Sequence, residues 1–461
     1  KRKQFTQPPK KQKARAAEPQ TADGFQQAAD FEEETGGKWR VGDPAKSGRA
    51  FIRALEIYDK GLDRFPQSFD LAYNKARLML EITQQQALVD KIGLPLVDLL
   101  KSTLDAHRVA QSLNGANPDV LFNTSQVLTS LAEQLSEAGD DGNAVPLLQE
   151  ALELLSACLS KQELLLEQLE QQRRDFEDAQ EGDGGVALNS GSPSAGPPAS
   201  GSTGDDSSDS GEYALIEAPV SASDLLDTVQ ASLSALTTLV SLTQPSNLPM
   251  LGAMAQQLCD ERAPTYLGVL ESSERDAAAF SIGLARANFV AANADAQYNA
   301  FELELEAYAG RLSESFSLPG KDRNFDALLA ESQARAELVL SALDRATTDQ
   351  SAALDICWTQ ATLAQNILSA ASKLDSSEAK EGAATLFERK GSIELLRYRL
   401  ATTSGANEAW QRSASTLLLN SQTYFAGGFK HAQVLGEEEV AQTAKMRWFV
   451  ATMIQKVLHG G

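Results

Sequence analysis

One spacing constrains this chain more than any other feature in it. Ala54, Tyr58, Gly61 and Pro66 set an alanine, a large ring, a small residue and a proline 4, 3 and 5 residues apart. Positions separated by 4 and 3 share one face of a helix, because a turn takes about 3.6 residues. Small residues on that face let a neighbouring helix approach closely, and the proline, which has no N–H to give, stops the helix. The spacing returns at Ala144, Leu148 and Ala151, again 4 and 3 apart, and more loosely at Thr103, His107 and Ala110. Gly61 and Ala110 lie 49 residues apart, as do Asn74 and Asn123, so helix pairs recur in register. From Ala110 to Ala151 is 41 residues, which becomes 34 if seven residues of the polar loop 136–143 are an insertion. The stretch from Ala50 to Leu159 is therefore expected to form helical hairpins of one repeating design, and the fold class to be all-α.

The pattern resembles a divergent tetratricopeptide repeat. That resemblance implies an α-solenoid of antiparallel helix hairpins, with the first helix of each pair lining a groove for a peptide or a helix. In such proteins an asparagine on the inner helix often bonds a ligand backbone. Asn74 and Asn123 occupy that place, and Asp70 and Asp119 sit at the starts of the same helices, so these four are the expected client-binding residues. Some tetratricopeptide domains clamp the terminal carboxylate of heat-shock chaperones with basic residues. Here the corresponding places hold Asp119 and Asn123, and an acid there repels a carboxylate.

Composition divides the rest of the chain. Residues 1–21 are basic and proline-bearing, and read as a disordered tail. Lys10, Lys11 and Lys13 form a compact cationic cluster of the kind that nuclear import receptors bind. A first helical block is expected over 22–181, a Gly/Ser/Pro/Asp-rich disordered linker over 182–211, and further helical repeats over 212–461. Within the first block, Gly36-Gly37 is expected to end a short helix, with Trp39 folded onto the hairpins from a loop and another loop running to Gly93. The helix from Ala144 carries a stripe of Leu148, Ala151, Leu152, Leu155 and Leu159 that Leu164, Leu165 and Leu169 extend. In the second block, Leu225, Leu226, Val229, Leu233, Leu236 and Leu239 are spaced for one buried face. Residues 274–313 read as one helix or as two divided near Asn293, with Phe301–Glu306 helical despite its alternation. The last helix, with Val440, Met446, Trp448, Phe449, Met453 and Ile454, is expected to cap the solenoid, and Trp358, Trp410 and Trp448 to be core. Lys1 is not a methionine, and whether the true start is present stays open at the level of sequence.

Charge and the search for chemistry narrow the function. Seven basic residues and no acid fall in the first fifteen positions; without them the net charge of −22 becomes −29. A body so acidic repels nucleic acid and steers basic partners toward it. No run of eighteen apolar residues suggests a membrane span. Cys158, Cys259 and Cys357 lie about a hundred residues apart and match no metal spacing. His107, His431 and His459 stand in no catalytic motif, and Gly320-Lys321-Asp322 is no phosphate loop. No catalytic residue, metal site or cofactor is expected. The chain reads as a non-enzymatic nucleocytoplasmic chaperone or adaptor that shields a basic client such as a ribosomal protein, with an import receptor on its tail. The alternative is a scaffold subunit held by apolar contacts.

Overall fold

A computed structural model describes residues 18–40, 42–182, 219–345 and 350–458. Among them every regular element is helical. The helices form two lanes. One lane holds α1 (Ala22–Trp39), α3 (Phe69–Thr83), α6 (Pro118–Glu137), α8 (Ala222–Leu242), α11 (Ser272–Asn299), α13 (Phe325–Asp344), α16 (Ala383–Thr402) and α18 (Glu438–Leu458), each packed beside the next. The other holds α2 (Pro44–Arg64), α5 (Leu96–Leu113), α7 (Asp141–Gly182), the short α9 (Leu248–Gln257) and α10 (Ala263–Val269), α12 (Leu305–Ser315), α14 (Gln350–Ala371) and α17 (Glu408–Leu435). Two further short helices, α4 (Gln86–Ile92) and α15 (Ser377–Glu381), fill turns between them. The architecture is an all-α solenoid of helix hairpins.

The repeat spacing is written into the packing. Ala54 and Tyr58 are fully buried, and a methyl group on Gly61 would stand 2.9 Å from Leu71 and 3.1 Å from Phe25. Gly61 is thus the place where α1 and α3 both close on α2. Side-chain caps set the starts of the helices: Asp43 accepts from the Lys46 N–H at 2.9 Å, Asn117 from Val120 at 3.1 Å, and Ser221 with Asp224 forms a capping box on α8. The six apolar positions expected on α8 are all buried. Of the described helices, α8 is the one long and apolar enough to cross a membrane; here its faces are taken by α7 and α11.

The core runs along the chain as adjoining clusters. One cluster spans α1–α5, a second α6–α11 and a third α11–α16, and α11 feeds both of the last two, with Phe289 in one and Tyr298 in the other. Helices on either side of residues 183–218 share the second cluster. Thr228 of α8 donates to Gln162 of α7 at 2.8 Å, and Thr238 to Glu133 of α6 at 3.2 Å. A π-turn at Leu258–Arg262 carries Arg262 and Tyr266 to Glu163. The tail to residue 17, the import cluster, residues 183–211 and His459 lie outside the described residues.

Several expectations are corrected. Gly36-Gly37 does not end α1: Gly36 is a contact point, where a Cβ would meet the Phe51 ring at 2.4 Å. Trp39 therefore ends a helix, is 40% exposed, and carries the Lys46 ammonium 3.0 Å over its ring. The loop expected before Gly93 contains α4. Leu152 is only half-buried, and Leu164 and Leu169 are exposed, so the buried stripe of α7 ends near Leu159 and Gln162. Phe301–Glu304 is neither helix nor strand. It is a turn in which Phe301 takes a left-handed φ of 62°, with the Arg345 guanidinium 4.1 Å from its ring centre, and it divides α11 from α12 well past Asn293. Trp358 and Trp410 stack at 4.6 Å in a half-buried pair, but Trp448 is exposed. Last, α18 packs by its small residues, Ala441, Ala444 and Ala451, and turns Met446, Phe449, Val450, Met453 and Val457 outward. A helix so oriented adds an apolar surface rather than closing one.

Candidate protein-binding groove

Three cavities along the first lane join into one groove. The first, about 420 Å³, lies between α6, α8 and α11 at the start of α13. It shares Thr237, Asn288 and Asp326 with the second, about 330 Å³, between α11 and α13. Gln333 and Arg389 lead from there into the third, about 910 Å³, bounded by α13, α16, α17 and α18. Helical periodicity places the lining. On α13, Asp326, Ala330, Gln333 and Glu337 follow at intervals of 4, 3 and 4, a mostly polar edge on a helix otherwise buried as far as Val339. On α8, Gln230, Ser234 and Thr237 do the same at 4 and 3.

The charges of the groove are tuned by its walls. Burial pushes the Glu133 carboxyl above the usual range, against the Thr238 hydroxyl bonded to it, and Glu137 adds to the rise. Glu337 is exposed in the groove, and the partial desolvation imposed by the walls around it raises it too. The Gln333 amide donates to it at 2.8 Å and Arg389 draws it back, while Asp295 adds to the rise. Arg389 is itself pulled below the ordinary guanidinium range by burial, with Glu337 opposing, and donates to the Leu329 carbonyl at 2.9 Å. Partly desolvated carboxylates of this kind are stabilised by a cation brought to them.

The residues expected from sequence lie elsewhere. Asp70 and Asn74 are half-buried on α3, and Asp119 is exposed in the first turn of α6. Asn123 is half-buried and donates to the Tyr73 hydroxyl at 3.3 Å. Burial, with Asp119 next, pushes the Tyr73 phenol up to about 12. The structure thus brings Asp119 and Asn123 together with Tyr73 on the seam between α3 and α6. None of the four lines the groove, whose α6 residue, Glu133, lies about 15 Å further along the helix. Glu133, Asp326, Glu337 and Arg389 were missed; the one signal available was the polar spacing on α13 and α8. His107 is fully buried, and the three cysteines are buried thiols pushed up to about 11 by desolvation. Among the described residues no three His, Cys, Asp or Glu side chains converge as metal ligands.

Fold and groove together define a repeat-type helical protein. No family model matches the chain. Over 154 residues it is 34% identical to UPF0656 protein C926.02 of Schizosaccharomyces pombe, a match covering 33% of this chain and 34% of that one. The likeness thus spans about a third of the relative's length. Among solved structures, a circular tandem repeat protein with novel repeat topology and enhanced subunit contact surfaces overlaps 95% of this chain and 98% of its own, at 13% identity and a TM-score of 0.26.

Proposed function

We propose that this protein is a non-enzymatic chaperone or adaptor that holds a basic segment of a protein client in its groove. The observation that carries the reading is the row of acids Glu133, Asp326 and Glu337 along adjoining compartments of one groove, two of them partly desolvated. A lysine or arginine from a client supplies the positive charge that these acids need, and the net charge of −22 steers such a client from a distance. A client of this chemistry is what a ribosomal protein offers. The cluster Lys10, Lys11 and Lys13 would carry the protein and its client into the nucleus. One observation favours the scaffold alternative, the outward apolar side chains of α18.

Affinity purification from nuclear and cytoplasmic extracts, at low and moderate salt, tests the reading. Basic proteins should be retained at low salt and released as salt rises. Glu133→Gln with Asp326→Asn and Glu337→Gln should abolish that retention. Changing Lys10, Lys11 and Lys13 to alanine should empty the nuclear fraction. Retention indifferent to salt and to the amide variant would instead support the scaffold.

A further inference from the structure

The third compartment of the groove has a chemistry unlike the other two. Its walls are apolar: Ala336 and Leu340 from α13, Ile393 and Leu396 from α16, Ile454 from α18. Three guanidinium groups, Arg389, Arg399 and Arg447, stand in it against the single carboxylate of Glu388. Arg447 pairs with Glu388 and donates to Ser392 at 2.8 Å, and Arg399 meets the exposed Asp344 at 3.5 Å. Arg389 gives one N–H to the Leu329 carbonyl, out of the five a guanidinium carries. In a chain with a net charge of −22, the lining of this cleft carries three guanidinium groups to one carboxylate, and Arg389 is the one of the three with no ion pair among the described residues.

Its shape is that of a trough. α16 lines it from Thr385 to Thr402, a run about 25 Å long at 1.5 Å per residue. Positions 389, 393 and 396 on α16 are spaced 4 and 3 apart, the rows that a helix laid alongside would fill. On α18, beside the wall, Met446, Val450, Met453 and Val457 continue at 4, 3 and 4, all exposed. The apolar surface therefore runs out of the cleft onto the outer side of α18.

We propose that this cleft seats an amphipathic helix of a partner protein, with its apolar face on Leu340, Leu396 and Ile454 and its acidic side chains at Arg389 and Arg399. Charge complementarity selects an acidic helix: Arg447 and Arg399 already have carboxylate partners, but Arg389 forms no ion pair among the described residues, and a basic helix would set its charges against it in a partly desolvated site. This ligand is distinct from the basic client: Glu133 and Asp326 lie toward the α6 end of the groove, Arg399 and Arg447 toward the α18 end, and Glu337 and Arg389 meet between them.

The test uses the full chain and two labelled peptides about 17 residues long, the length of the trough. One carries leucines at helical spacing flanked by glutamates, and the other has each glutamate replaced by lysine. Fluorescence anisotropy should show the glutamate peptide binding at least tenfold more tightly than the lysine peptide. Arg389→Gln should weaken the glutamate peptide tenfold or more. Leu340→Glu, at a position 42% exposed and so safe for folding, should do the same. Equal binding of both peptides, no binding of the glutamate peptide at its solubility limit, or binding untouched by both variants overturns the proposal. Light scattering on the same samples separates another occupant: a dimer that Leu340→Glu abolishes would assign the cleft to a second copy of this chain. Loss of basic-client retention in the amide variant of the groove, with peptide binding intact, is the pattern expected of two separate sites.

Discussion

At the scale of single residues, His107 shows how burial decides a role that type alone leaves open. Its ring fills the large-residue place of the second repeat with no exposed surface. Burial pulls it down to about 4 from the ordinary 6.5; the nearby backbone of Ala76 opposes this only in part, and neither ring nitrogen has a hydrogen-bond partner among the described residues. The folded ring stays neutral where the unfolded one takes up a proton. Its contribution to stability is therefore complete above pH 6.5 and is lost as pH falls from 6.5 toward 4, by about 3 kcal/mol in all. Urea unfolding at pH 7.5 and pH 5 should show roughly 2 kcal/mol of this loss in the parent and a smaller one in His107→Phe. An identical pH dependence in the two proteins would mean that the ring is not what titrates.

At the scale of elements, α7 separates what a pattern can say from what packing adds. Its buried face holds Leu148, Ala151, Leu155, Cys158, Leu159 and Gln162. At 100° per residue, Leu152 lies roughly 70° from the middle of that face, and this is why it is half-buried. A reading by hydrophobicity takes Leu152 as core and passes over Gln162, whose burial is made tolerable by the Thr228 hydroxyl, 66 residues away on another helix. Leu155→Ala should therefore cost roughly 2–5 kcal/mol, and Leu152→Ala less than half as much. Equal losses in chemical denaturation would show that the face is centred elsewhere. The same reasoning explains the other misreadings. The existence of nearly every long helix was legible, because periodicity and caps are local. Gly36 looked like a stop because its partner, Phe51, is a residue of another helix. The groove was illegible for the same reason: Glu133, Asp326 and Glu337 are ordinary surface acids until α6, α8, α11 and α13 are laid side by side.

At the scale of the whole molecule, the second core cluster ties together helices from both sides of residues 183–218. Leu155 and Leu159 of α7 are covered by Leu225, Val229 and Leu233 of α8, so neither block is complete without the other. Residues 1–182 and 219–461 produced as two separate chains should therefore co-purify one to one and show the helical signal of the intact protein. Two fragments that elute apart, each soluble and folded, would refute the shared core.

That shared core also has a consequence in time. A ribosome releases α7 before α8 exists, and α8 ends at Leu242, 83 residues after Leu159. Translation at about 5–20 residues per second leaves the leucine face of α7 without its cover for roughly 4–17 s. Every newly made copy passes through that interval, with an apolar helix face open to whatever else is being synthesised nearby.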